Sequence, residues 1–143
     1  MRRQARLTIR GQGRISIARG TTILILGGAE LEIGAETAIL YNSTITCLER
    51  ISIGRHCAIS WGVNIFDGNA HELLVDGVPR PRSRPVGIGD NVWIGSGATV
   101  MGVAVGEGSV IGTGSVVVSD LPARVAAAGN PARVIRKNVS WAL

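Results

Sequence analysis

Aromatic side chains are scarce in this chain: one Phe, one Tyr and three Trp among 143 residues. Stacked bases therefore have almost no platform, and no helical or zinc-finger reading motif is present, so nucleic acid is not an expected partner. With so little ring volume, a core of the usual Leu, Phe and Tyr kind is excluded as well. Long apolar runs are missing too. The longest, Ile23 to Leu26, falls far short of the roughly 18 residues a membrane span requires, so no span is expected. Only two cysteines occur, Cys47 and Cys57, with no CxxC or metal-ligand spacing, and they read as small buried thiols without chemistry. The basic start MRRQARLTIRGQG is followed by neither an apolar stretch nor a small-residue cleavage site. No secretory leader is expected, and a cytoplasmic location follows.

What is abundant is glycine, 20 residues, together with the β-branched Ile and Val that suit strands. Ile9, Ile15, Ile33, Ile39, Ile45 and Ile51 share one six-residue phase; Ile53, Ile59 and Ile65 resume it after a slip, then Ile88, Ile94 and Val100, then Val105, Ile111 and Val117. Many units read aliphatic, glycine, two variable residues, a small residue and one more: IGRHCA, IGDNVW, IGSGAT, VGEGSV, IGTGSV. An aliphatic every sixth position fills an interior, the small residue fits a corner, and glycine relieves a turn at positive φ. Three units make one triangular coil of about eighteen residues, and stacked coils pair their strands in parallel. A sandwich would need strict alternation and hairpin turns, which are not prominent. The chain reads as an all-β solenoid whose hand the spacing does not give.

The repetition stops at FDGNAHELLVDGVPRPRSRP, residues 66–85, which contains His71 and a VPRPRSRP stretch of three prolines and three arginines. Proline removes strand donors, so this segment is expected to project as a loop. Arg80, Arg82 and Arg84 there either draw in an anion or keep the loop solvated. A single domain over 1–143 follows, with coils at about 7–65 and 86–120. Arg2, Arg3, Arg6 and Arg10 keep the first strands charged, and Leu121 to Leu143 covers the last coil, its VIRKNVSWAL end open between strand and short helix. The formal charge of +5, from 15 Lys+Arg against 10 Asp+Glu, favours an anionic partner, and a phosphate-bearing cofactor meets that need.

The units, the His71 loop, and IGDNVWIGSGATV followed by GEGSVIGTGSVVVSDLPARVAAAGNPARVIR resemble the hexapeptide-repeat acyltransferases, in the branch of maltose, galactoside and polysaccharide O-acetyltransferases. The match runs from about Ile33 to Lys137. The resemblance implies a left-handed parallel β-helix, a homotrimer with active sites between subunits, acetyl-CoA as donor, a saccharide acceptor and no metal. It implies His71 as the catalytic base, Asn42 and Asp67 on the acceptor side, Trp93, Ser96 and Thr113 along the pantetheine arm, and Arg133 and Arg136 near the nucleotide phosphates. Departures are Val118-Ser119 where relatives often have Thr-Lys, the short MGVAVG, and β-like repeats in place of an N-terminal helical segment. The last leans toward a polysaccharide or precursor acceptor.

Acetyl transfer to a hydroxyl needs a base, and imidazole, with an ordinary pKa of about 6.5, can take and return a proton near neutral pH. No GxSxG or other nucleophile signature is present, so direct transfer in a ternary complex is expected. Asp67, Glu72 or a backbone carbonyl could orient the ring, and backbone N–H groups could hold the oxyanion. His56, at a variable position of IGRHCA, is expected to be structural. Other readings are a xenobiotic or amino-sugar acetyltransferase, a γ-carbonic-anhydrase-like zinc enzyme, for which two histidines are too few, and a non-catalytic assembly module.

Overall fold

In the computed structural model, residues 3–142 are described, no helix forms among them, and the chain winds as a three-faced prism. The first coil is β1 (Arg6–Arg10), β2 (Ser16–Ile17) and β3 (Thr22–Ile25), and the second is β4 (Glu30–Gly34), β5 (Ala38–Ile39) and β6 (Thr44–Cys47). The third is β7 (Arg50–Ile53), β8 (Ala58–Ile59) and β9 (Asn64–Phe66). The chain then leaves the prism through a loop holding the antiparallel pair β10 (Leu74–Val75) and β11 (Val78–Pro79). It returns as β12 (Val86–Ile88), β13 (Trp93–Ile94) and β14 (Thr99–Met101), then β15 (Ala104–Val105), β16 (Val110–Ile111) and β17 (Val116–Val117). Finally β18 (Val125–Gly129) starts a sixth coil, and β19 (Ala132–Lys137) folds back on it antiparallel. The ambiguous C-terminal stretch is thus a strand at its start.

Strands of successive coils stack in parallel on three faces: face A is β1-β4-β7-β12-β15, face B is β2-β5-β8-β13-β16-β18 with β19 at its end, and face C is β3-β6-β9-β14-β17. Register aligns the inward aliphatics in columns. Ile33, Ile53, Ile88 and Val105 stack on face A, Ile39, Ile59, Ile94 and Ile111 on face B, and Ile45, Ile65, Val100 and Val117 on face C, all 3% exposed or less. The six-residue phase drifts in the first coil: Ile17, not Ile15, sits over Ile39. That coil is longer, since Arg6 pairs with Glu30 and Glu30 with Arg50, steps of 24 and 20 residues, whereas Ile88 meets Val105 after 17.

The glycine after each aliphatic has a different cause from the one the repeat suggests. Gly34, Gly54, Gly89 and Gly106 stack on the A–B edge, and a Cβ on Gly54 would come within 2.6 Å of the Asp90 backbone. Close approach of coils excludes the side chain there. The left-handed turn falls two residues later and is taken by Glu36, His56, Asn91, Gly108 and Arg124. Corner hydroxyls finish the stacking: Thr37 Oγ1 donates to Gly54 O (2.7 Å) and accepts from Cys57 N (3.1 Å), and Ser43 does the same toward Ser60 O and Val63 N. The short MGVAVG turns at Gly102, whose φ is 54 and whose N–H donates to Phe66 O (3.1 Å).

The two ends differ. Leu7, Ile9, Ile17, Leu24 and Leu26 of the first coil are 42–51% exposed, and an outer ladder of Arg6, Arg10 and Arg50 on Glu30 and Glu32 flanks them. Arg2 lies outside the described residues. At the other end Leu121, Val125, Ala127 and Ala132 close the core. No helix among the described residues is long and apolar enough to cross a membrane.

Candidate active site

Each B–C corner is a two-residue turn whose second member takes a left-handed conformation: Asn42 (φ 60), Gly62 (φ 63), Gly97 (φ 70) and Gly114 (φ 70). The N–H of each donates to the carbonyl of the corner residue one coil back: Asn42 to Arg19 (3.2 Å), Gly62 to Tyr41 (2.9 Å), Gly97 to Trp61 (2.8 Å), Gly114 to Ser96 (2.9 Å). Arg19, Tyr41, Trp61, Ser96 and Thr113 therefore form one column along this edge, one residue per coil, rising about 4.8 Å each. Ser96 and Thr113, singled out by the sequence motif, fall on it, and Asn42 follows Tyr41 in the same corner. The Asn42 amide oxygen lies against Gly20, where a Cβ would collide with it.

The other motif residues lie beside this edge on face B. Trp93 pairs with Val110, Val110 with Ala126, and Ala126 with Arg136 on β19, so Trp93 and Arg136 share one outward column, which runs on from Trp93 to Ala58, Ala38 and Ser16. Arg133 pairs with Ala128, next to the B–C corner of the last coil. Both arginines are exposed, and neither has a carboxylate partner among the described residues. Trp93 is 42% exposed and packs against Trp141 of the C-terminal segment, ring centroids 6.0 Å apart, while its Nε1 donates to Ser60 Oγ at 3.4 Å. Trp141 in turn donates from Nε1 to Asn91 O, and the two rings with Leu40, Ala58 and Ser60 line a 260 Å³ apolar cavity.

His71 is exposed on the projecting loop, which leaves face C at Asp67. Its root is tied to the C–A edge: Ser83 Oγ donates to Glu49 Oε2 (2.7 Å), Arg84 pairs with Asp120 (3.0 Å), and Arg84 N donates to Asp67 O (2.7 Å). The Ala104 N–H and the Arg84 guanidinium hold the Asp120 carboxyl below its ordinary range. A cavity of 340 Å³ lies under this root, lined by Asn69, Arg82, Arg84, Met101 and Val118 among others. The hairpin beyond it leaves Leu73, Leu74 and Val78 55–58% exposed.

Asp67, expected on the acceptor side, is 1% exposed and lies at the wall of that cavity, and its carboxylate accepts from the backbone N–H groups of Leu48, Glu49 and Arg50, each at 2.7 Å. These bonds fasten the loop root to the preceding corner. His56 occupies a left-handed turn (φ 53). The residues expected on the cofactor side thus gather on face B and the B–C edge, while the loop with His71 is rooted one face away. Five residue steps along face C carry the chain from Gly62 to Asp67, about 16 Å at strand rise. Sequence reading missed Arg19, Tyr41 and Trp61; the available signal was an aromatic at the corner position of two successive units. It also missed Trp141, for which no repeat pattern could have spoken.

Comparison with known proteins follows the same lines. The family model described as hexapeptide repeat of succinyl-transferase matches residues 85–119. Galactoside O-acetyltransferase of Escherichia coli (strain K12) is 40% identical over 114 residues, covering 77% of this chain and 55% of that protein. The chain spans about half the length, or less, of the curated relatives it matches. Among solved structures, the polySia specific acetyltransferase NeuO superposes with a TM-score of 0.81 at 31% identity, over 96% of this chain and 68% of that one. A hexapeptide-repeat acetyltransferase of Vibrio cholerae O1 biovar eltor, complexed with acetyl coenzyme A, gives 0.78 at 25% identity, over 96% and 73%. These neighbours are left-handed β-helices, and a coil of the opposite hand would not superpose on them. Repeat, hand and matched relatives place the chain in the hexapeptide-repeat acyltransferase family, in the branch that holds the galactoside and maltose O-acetyltransferases.

Proposed function

We propose that this chain transfers an acetyl group from acetyl-CoA to a hydroxyl of a saccharide or polysaccharide precursor, in the cytoplasm, as a homotrimer with active sites between subunits. The observation that carries the reading is the separation of its parts. Asn42, Ser96, Thr113 and Arg133 follow one edge of the prism, and the loop bearing His71 is rooted on another. Threefold packing, with the B–C edge of one copy against the loop side of the next, completes a site that one copy leaves divided. Names of relatives support the chemistry: one is a galactoside O-acetyltransferase, one is polySia specific, and one is complexed with acetyl coenzyme A.

In this reading Arg133 and Arg136 hold the CoA phosphates by charge-assisted hydrogen bonds, and Trp93, Ser96 and Thr113 line the pantetheine arm toward the middle of the prism. Asn42 holds the acceptor. His71 takes the proton from the acceptor hydroxyl as its oxygen attacks the thioester carbonyl, and backbone N–H groups stabilise the tetrahedral oxyanion. When the C–S bond breaks, His71 returns that proton to the CoA sulfur, so ester and thiol leave with the base restored. The test is free-thiol release from acetyl-CoA with a glycan panel. His71→Ala is expected to lower kcat by about 10²- to 10⁴-fold with the oligomer intact; survival of activity within a few-fold would remove His71 from the role.

A further inference from the structure

The corner column continues past the proposed reaction centre toward the N-terminal end, and there its residues change character. Trp61 is 56% exposed and Tyr41 46%, although neither covers any core, and Arg19 lies over the Tyr41 ring at 6.0 Å from its centroid. Arg19 has no carboxylate partner among the described residues, unlike Arg6, Arg10 and Arg50 on the neighbouring face. We propose that Trp61, Tyr41 and Arg19 form a rail that binds an acidic oligosaccharide acceptor, extending the acceptor site over three coils.

The proposal rests on the acetyltransferase reading and names its acceptor class. The order along the edge supports it: Arg133 at the last coil, Thr113 and Ser96 next, then Trp61, then Tyr41 with Asn42, then Arg19. A donor lying along the first three leaves its thioester end near Trp61, and a chain entering from the opposite end meets it there. Two rings one coil apart, about 4.8 Å in strand spacing, present faces at close to the length of one pyranose unit. The electron-rich ring faces suit the C–H groups of a sugar, and an unpaired guanidinium beside them suits a carboxylate.

The test uses the full chain and two defined ladders: galacturonate oligomers of increasing length, and malto-oligosaccharides as the neutral series. Titration followed by calorimetry is expected to give at least tenfold tighter binding for the acidic tetramer than for the monomer, with little gain in the neutral series. Trp61→Ala and Arg19→Gln should each erase that gain, while Trp61→Phe retains most of it. Unchanged binding of the acidic tetramer by Trp61→Ala would overturn the rail. So would loss of assembly in that variant, since Trp61 would then be covered by another copy. Trp61-dependent binding without turnover on any acceptor would sink the transferase reading and keep the rail; turnover indifferent to length and charge would do the reverse.

Discussion

Asp67 and His71 stand on the same loop with opposite surroundings. His71 is held by little and faces solvent, whereas Asp67 is buried with three backbone N–H groups converging on it. A carboxylate bound in this way is a fastener: removing it strands three donors inside the corner. Asp67→Ala is expected to cost about 3 kcal/mol of stability, with Asp67→Asn intermediate, measured as a shift in urea midpoint. A stable Asp67→Ala variant that loses only acceptor affinity would instead return Asp67 to the acceptor site. Cys47 lies beside it, and burial, followed by the Asp67 charge, pushes its thiol from 9.0 up to about 11. The folded chain keeps this proton where the unfolded chain has lost it. That stabilisation is therefore complete below pH 9.0 and declines as pH rises from there toward 11. Urea midpoints from pH 8 to 11 should fall more steeply for the native chain than for Cys47→Ala.

Among the elements, the corners carry more information than the strands. Two kinds of glycine serve them for different reasons. Gly54 has ordinary φ but no room, with Asp90 backbone within 2.6 Å of where a Cβ would sit; Gly62 has room on every side but a φ of 63. Gly54→Ala is expected to overpack the A–B edge at a cost of about 1–3 kcal/mol. Gly62→Asn, which accepts a left-handed turn, should be nearly neutral, as Asn42 already shows one coil earlier. Thermal melts of the two variants separate these causes, and equal destabilisation would mean that φ, not coil spacing, governs both edges.

For the whole molecule, mixing two variant chains tests the proposed division of the site between two edges. His71→Ala chains keep an intact B–C edge, and Arg133→Ala chains keep an intact loop. Co-refolded at equal amounts, they should regain about a quarter of native activity by random assortment in a threefold ring, although each alone is weak. No recovery would place the whole site within one chain. Sedimentation should give three times the chain mass of 14.9 kDa.

Much of this was legible from residue order alone. Period, strand type and the interruption at residues 66–85 follow from local pattern, because each repeat unit meets the same constraints of an aliphatic interior, a tight corner and a neighbouring coil. What only the folded chain decided were relations between residues far apart in sequence. Asp67 turned inward because the corner at Leu48–Arg50 offers three donors to it, Trp141 crossed fifty residues to reach Asn91 and Trp93, and unequal coil lengths set Arg19, Tyr41 and Trp61 in line. A six-residue period fixes what each position faces within its own unit. Which residue of another coil it meets depends on how many residues each turn consumes, and that is settled only when the coils stack.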